Sequence, residues 1–487
     1  MATSPVSTSP SGPDDSLSVR VPHPTVAERR AAGRNARAAA TRRSLGELIL
    51  PPDRDPIAVL AEQEQRRVPD LVPLRRERMA ASPFAFFRGA AAVFSADIAA
   101  SARTGIEVQL CGDAHLANFG GFASPERSLV FDLNDFDETI PGPFEWDVKR
   151  LAASFEVAAR ANGFDADERA AIQTTLTERY ATAVARFAAM DNLDVWYLDL
   201  DIDELLRRHG KAVNKEVRKR LDRNMTKAKS KDRTKALRRL TVGTGADLRF
   251  ASDPPVLVPV AELGADLDPA LVRSVIHEAF RSYRASLQPD RRRLLSRYRM
   301  VDVARKVVGV GSVGTRCWVV LLVGRDEDDP LFLQVKEAEH SVLEPYVSPS
   351  VYSHQGRRVV EGQRLLQSAS DVLLGWERVT GPDGVTRDSY FRQLWDWKAS
   401  PDIDGMDPDL LGLYAEMCAG TLAHAHARSG DACAIAGYVG SGRSLGEAMG
   451  AFASDYADLN ERDHAEAVAR WGPAPAAGSP SAPATVS

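Results

Sequence analysis

No apolar run in the 487-residue chain approaches the length needed to span a bilayer, and its N-terminus lacks the apolar core of a secretory signal. A membrane partner is therefore not expected. Cysteine is scarce. Cys111, Cys317, Cys418 and Cys433 follow no metal-ligand spacing and are too few for a disulfide framework. They read as reduced thiols, which points to a cytoplasmic location. Neither charge sign dominates, and a net charge of -5 gives no global reason to bind nucleic acid or membrane. Aromatic residues are absent between Arg207 and Arg239, where 15 Lys/Arg face 3 Asp/Glu, a local net charge of +12. Without aromatics the segment has no platform for stacking bases. It reads as a solvated basic face, with an anion-binding surface for a phosphorylated, nucleic-acid or acidic partner as the alternative.

What remains is an ordinary globular composition, 44% apolar and 26% charged, in a chain long enough for two lobes or domains. Residues 1–45 are rich in Ser, Pro, Ala and Arg, with no aromatic and no apolar period. They read as a disordered tail, as do residues 472–487. Between the tails, 46–300 reads as a mainly helical region, 301–398 as β-rich, and 399–471 as helices returning to the first region. Ser82-Pro83 opens a helix on which Phe84, Phe87, Ala91 and Phe94 form an apolar stripe. Arg88 on that helix reads as a basic side chain covering apolar surface, or as a phosphate or carboxylate clamp near the active loop. Leu271 to Tyr298 and Asp407 to Ser429 read as helices. His424 and His426 on the latter read as packing or surface residues.

Two loops carry the chemistry. The first, Gly112-Asp113-Ala114-His115-Leu116-Ala117-Asn118, follows the β-type run Ile106 to Leu110. The second, Asp135-Phe136-Asp137, follows Leu129 to Leu133. An Asp with an Asn five residues on, then a strand ending in Asp-Phe, suits phosphoryl transfer from a nucleotide. One carboxylate orients the attacking hydroxyl, while the Asn and the later Asp hold magnesium on the phosphates. The simpler reading is a polar turn in which Asp113 and His115 are surface or capping residues.

The segment GDAHLAN resembles the G-D-x-H-x-x-N catalytic loop of aminoglycoside phosphotransferases and related small-molecule kinases. NDFDETIPGPFEWDVKRLA resembles the metal-binding segment that follows in that branch of the protein-kinase-like fold. The resemblance implies that Asp113 is catalytic, that Asn118 and Asp135 bind metal, and that Asp147 braces the loop. His115 and Asp137 are supporting members. ATP and magnesium are the implied cofactors. The wider sequence also resembles an uncharacterised bacterial family of unknown function.

Downstream, Gly309-x-Gly311-x-x-Gly314 lies between two β-type runs, and Leu331 to Lys336 follows. This is the kinase order of glycine loop, strand, and strand with Lys. The run does not open a helix, which argues against a dinucleotide fold. Lys336 would reach the α- and β-phosphates and needs a helical carboxylate. Glu361, the only acid in the helical run Gly356 to Ser368, is the expected partner. Glu344 is the alternative, disfavoured by Pro345. Two strands, Leu373 to Val379 and Ser389 to Trp395, should follow, the second entering a WDWK hinge beside the adenine.

The expected fold is α+β: a two-lobed protein-kinase-like architecture with circularly permuted order, catalytic loops first and nucleotide lobe later. Such a cut is tolerated where the joined ends lie close, so the helix ending near Gly430 should stop beside the strand entering Gly112. The expected function is an ATP- and Mg-dependent phosphotransferase acting on an unknown hydroxyl acceptor, with nucleotidyl transfer kept open. The alternatives are a catalytically silent nucleotide-binding or interaction protein, and a polyanion-binding module built on 207–239.

Overall fold

The computed structural model of the chain describes residues 23–199, 233–263, 269–307, 309–394, 397, 399 and 401–472. The fold is α+β. A helical body is built around Phe144–Ala161, in which 16 of 18 residues are buried. A helix buried on nearly every side must pair its charges internally. Most do so: Glu145 accepts from the backbone N–H and hydroxyl of Thr104, and Glu156 takes Arg160 and Arg169, while the buried Lys149 ammonium meets the Phe452 ring at 4.5 Å. Asp147 and Arg150 turn to the first loop. Alanines at 152, 153, 158 and 159 let neighbours approach closely. Around this helix pack Ala166–Phe187, Pro408–Ser429 and the long Arg443–Trp471, sharing one apolar core.

Strands β1 (Glu107–Leu110) and β4 (Ile140–Pro143) pair antiparallel, as do β2 (Phe119–Ala123) and β3 (Leu129–Leu133). β5 (Thr241–Val242) and β6 (Arg249–Phe250) make a small hairpin. The main sheet has six antiparallel strands in the order β11-β12-β10-β9-β8-β7. These are β7 (Leu257–Pro259), β8 (Arg299–Lys306), β9 (Cys317–Val323), β10 (Pro330–Glu337), β11 (Gly375–Thr380) and β12 (Thr386–Gln393). Alternation splits its side chains between two cores. Ala304, Val319, Leu321 and Phe332 face one way, and Val303, Val320, Leu322 and Leu333 the other. Helix Gln355–Leu366 connects β10 to β11 and packs into the core of the helical body through Val359, Val360 and Leu366.

Three expectations need correction. Residues 26–35 of the supposed disordered tail form a helix, started by a capping box between Thr25 and Glu28. Its arginines are anchors. Arg29 pairs with Asp431, while Arg37 and Arg42 donate to the carbonyls of Gly437, Tyr438 and Val439, where helix Ala432–Val439 ends. Cations at a helix C-terminus satisfy orphan carbonyls. Second, the stripe from Phe84 to Phe94 spans two helices, Pro83–Gly89 and Ala91–Ala99, separated by Ala90 at φ -107°, ψ 34°. Third, Leu271 to Tyr298 is interrupted: Pro269–Ser286 and Pro289–Leu295 are separate helices, and β8 begins at Arg299. Pro289 has no N–H to continue the first ladder.

The expected closeness of Gly430 to β1 is observed. Ser429 Oγ accepts from Gln109 N–H at 3.3 Å, and a Cβ on Gly430 would sit 2.9 Å from Glu107 O. Most of the basic segment, through residue 232, lies outside the described residues. So do Trp395, Asp396 and Lys398 of the expected hinge, the tail before residue 23 and the tail after 472. Residues 233–240 form a helix whose Ala236 and Leu240 pack on the sheet with Phe332 and Leu394.

Candidate functional site

The first loop leaves β1 through Gly112 at φ +90°, where a Cβ would collide with the backbone of Glu138. Only glycine fits both demands. Asp147, from the first turn of the central helix, accepts the N–H groups of Cys111 (2.7 Å) and Gly112 (3.0 Å). It also receives His426 Nε2 at 3.3 Å, and His426 Nδ1 meets Tyr180 Oη at 2.7 Å. His426 is thus a packing residue that holds the bracing Asp. Three residues beyond Asp147 on the same helix, Arg150 donates from Nε to Asp113 Oδ1 at 2.8 Å and from Nη2 to Phe87 O. Asn118 Nδ2 donates to the backbone O of Asp113 at 2.7 Å, which leaves the Asn118 oxygen turned to other uses. Burial drives the Asp113 carboxyl above its ordinary range, and Arg150 opposes that rise. His115 is buried with Nδ1 unpartnered. Burial, then the nearby cations Arg88 and Arg150, hold its ring neutral.

The second loop is tied to the first by Asn134 N–H donating to Asn118 O. Its carboxylates meet the sheet. Lys336 Nζ on β10 lies 3.2 Å from Asp135 Oδ2 and 2.8 Å from Asp137 Oδ2. Tyr390 Oη on β12 donates to Asp137 Oδ1 at 2.6 Å, and Arg392 Nη1 donates to Asn134 O at 2.9 Å. Burial would raise Asp135, but Lys336 and Arg392 hold it well below the usual carboxylate range. Lys336 is correspondingly held charged despite burial, by Asp135 and Asp137. Glu138 is different. Burial pushes it up to about 7, against the pull of the Val342 N–H and Arg358.

Gly309 and Gly311 complete one cleft with Asp113, His115, Asn118, Asp135, Asp137, Arg88 and Lys336. Residues 201 apart in sequence are in contact there. The turn itself is a short 3-10 segment, Val310–Ser312. Arg67 Nη2 donates to Gly311 O, and Val68 N–H donates to Gly314 O, fastening the turn to the N-terminal part of the chain. Gly314 has φ +90° and packs against the Arg67 side chain; it closes the turn behind the cleft.

Glu361 is not brought to Lys336. It pairs with Arg357 and Arg364 of its own helix, at 3.8 and 3.7 Å. The residue that this helix presents to the second loop is Arg358, which donates to the carbonyls of Asp137, Thr139 and Glu339. Glu344 sits in a 3-10 turn beside His340. The carboxylates that compensate Lys336 come from the second loop itself. Sequence reasoning also missed Arg150, Arg358, Arg392 and Tyr390. Arg150 had a signal, since i and i+3 share a helix face and Asp147 was already assigned to the loop.

For a divalent cation the fit is partial. Asp135, Asp137 and the Asn118 amide oxygen are hard oxygen donors of the type magnesium prefers. Among the described residues no group of three or more His, Cys, Asp or Glu could hold a metal by itself. Magnesium would need phosphate oxygens or water to complete its shell, which is its common habit. Lys336 Nζ stands where such positive charge is called for.

No helix among the described residues is long and apolar enough to cross a membrane. Comparison with curated proteins and with solved structures gives no match. One family model covers most of the chain, from residue 67 to 470, and includes every residue of the cleft named above. The chain belongs to that family, DUF2252, described as an uncharacterized protein conserved in bacteria.

Proposed function

We propose that the protein is an ATP- and magnesium-dependent phosphotransferase, a two-lobed kinase-like fold in permuted order, acting on a hydroxyl acceptor. The observation that carries this reading is the contact of Lys336 with Asp135 in a cleft also lined by Asp113, Asn118 and the glycine turn. A single triphosphate must touch both sets at once, so the reading requires these two motif sets, distant in sequence, to converge. The approach of Gly430 to β1 further supports the permuted connection.

On this reading Asp113 orients the acceptor hydroxyl and accepts its proton. A new bond forms from that oxygen to the terminal phosphorus, and the bond from phosphorus to the nucleoside diphosphate breaks. Arg150 is a positioning residue, aiming the Asp113 carboxylate. A carboxyl raised by burial is a better proton acceptor than an ordinary one. Asn118 and Asp135 would hold magnesium, which when bound neutralises phosphate charge. Backbone N–H groups of the Gly309–Gly311 turn would face the phosphates, and Lys336 would exchange a carboxylate partner for a phosphate.

One observation favours a catalytically silent nucleotide-binding protein instead: Asp113, Asp135 and Asp137 are all engaged by the chain's own cations. Turnover separates the two readings. Incubation with ATP and magnesium, followed by mass detection of any compound or protein that gains phosphate or AMP, should show a phosphorylated product. An AMP adduct would shift the reaction to nucleotidyl transfer. Nucleotide binding without any product would select the silent reading.

A further inference from the structure

The cleft is unevenly satisfied. Each of its four carboxylates has a partner: Asp113 has Arg150, Asp135 and Asp137 share Lys336, and Glu138 accepts the Val342 N–H. Three of its five cations are likewise engaged. Lys336 holds the two carboxylates, Arg392 donates to Gln334 and Asn134, and Arg67 donates to Gly311 and Val313. The other two, Arg88 and Lys306, line the cleft without a hydrogen bond or ion pair to any described residue. Arg88 Nε is shut off from solvent and unpartnered. Asp113 and the exposed Asp404 act on its charge from a distance. Lys306 is 4% exposed. The Arg88 guanidinium lies over the Phe84 ring, 6.0 Å from its centroid, but a buried cation without a counter-charge is costly, and a ligand anion removes that cost.

The two cations come from different elements. Lys306 ends β8, directly before the glycine turn that would cover the donor phosphates. Arg88 comes from helix Pro83–Gly89, beside Asp113, with Nη2 4.0 Å from where a Cβ on Gly309 would lie. Its guanidinium therefore stands between the proton-accepting carboxylate and the start of the turn.

We propose that the acceptor is an anionic alcohol, a hydroxyl compound bearing a phosphate or carboxylate, whose acid group Arg88 binds while Asp113 takes the hydroxyl proton. This rests on the phosphotransferase reading. A planar guanidinium can bind either acid group through two parallel hydrogen bonds. A polyamine acceptor would need free carboxylates, and the cleft offers none among its described residues. The acceptor chemistry thus departs from the aminoglycoside kinases that the catalytic loop resembles.

The test is calorimetric titration of inorganic phosphate into the full chain saturated with magnesium and the β,γ-imido analogue of ATP. Phosphate should bind alongside the analogue, and Arg88→Met should weaken that binding roughly tenfold or more, the loss of one charged hydrogen-bonding group. Arg88→Lys should retain part of it, which also guards against a misfolded variant. Phosphate that competes with the analogue would assign Arg88 to the donor's terminal phosphate and overturn the proposal. So would absence of phosphate binding, or an unchanged affinity in Arg88→Met. Failure of the analogue itself to bind would remove the phosphotransferase reading. Loss of phosphate binding in Arg88→Met would then still support an anion site at that residue.

Discussion

At Asp113 burial and the Arg150 guanidinium oppose one another, and the balance sets the pH range in which the carboxylate can take a proton. Removing the cation takes away the largest effect opposing burial and leaves Arg88, so the carboxyl rises further. In Arg150→Met the acid limb of the kcat profile should therefore move up by about one pH unit or more, with the fold retained by circular dichroism. An unmoved limb would show that Arg150 does not act through Asp113. Glu138 gives a second prediction. Unfolded, it ionises near 4.3; folded, it keeps its proton up to about 7. The stability from this group is complete below about pH 4 and is lost as pH rises through 7. Glu138→Gln should therefore gain stability relative to the native chain across that window in urea titrations, and a constant difference would contradict it.

The site's charged pattern was legible because its chemistry fixes residue types at short spacing. Asp113, Asn118 and Asp135 could be read from two loops and their flanking strands. The partner of Lys336 could not. Glu361 is the only acid on its helix, and the helix does form, but the residue it turns to the second loop is Arg358. The carbonyls of Asp137, Thr139 and Glu339 need a donor, which Arg358 supplies. Arg392 and Tyr390 were illegible for a related reason: only strand register puts them opposite Gln334 and Lys336.

Among the elements, the N-terminal helix was the clearest misreading. Its lack of aromatics and of an apolar period reads as disorder, yet it docks through the Arg29–Asp431 pair and Gly33, where a Cβ would strike the backbone of Ala434, and Arg37 and Arg42 just beyond it donate to carbonyls. The capping box at Thr25 and Glu28 was the available signal. Gly33→Val should undock the helix, exposing the chain near residue 35 to limited proteolysis and lowering Tm by several degrees. For a chain of this size, with about 2 cal/mol/K of unfolding entropy per residue, that shift corresponds to roughly 3–5 kcal/mol. Native-like resistance to the protease would count against the docking.

The molecule as a whole joins a sheet and a helical body at one cleft, through loops that both contribute charge. Antiparallel meanders and Ala-rich helices were readable from periodicity. That β10 and the loop after β3 meet was not a matter of periodicity at all. It followed from supposing one ligand for two motifs. In the interrupted helix after Leu271, Pro289 is visible in the sequence, but its effect on a long amphipathic run depends on what packs beside it.

The central claim is that one nucleotide bridges the loop carboxylates and the sheet lysine. Calorimetric titration of ATP, with and without magnesium, into the native chain, Asp135→Ala and Lys336→Met tests it most directly. The account predicts magnesium-dependent binding at one site, weakened roughly tenfold or more in each variant by loss of a charged contact. Absence of ATP binding to the native chain, or binding unaffected by both substitutions in folded protein, would contradict it.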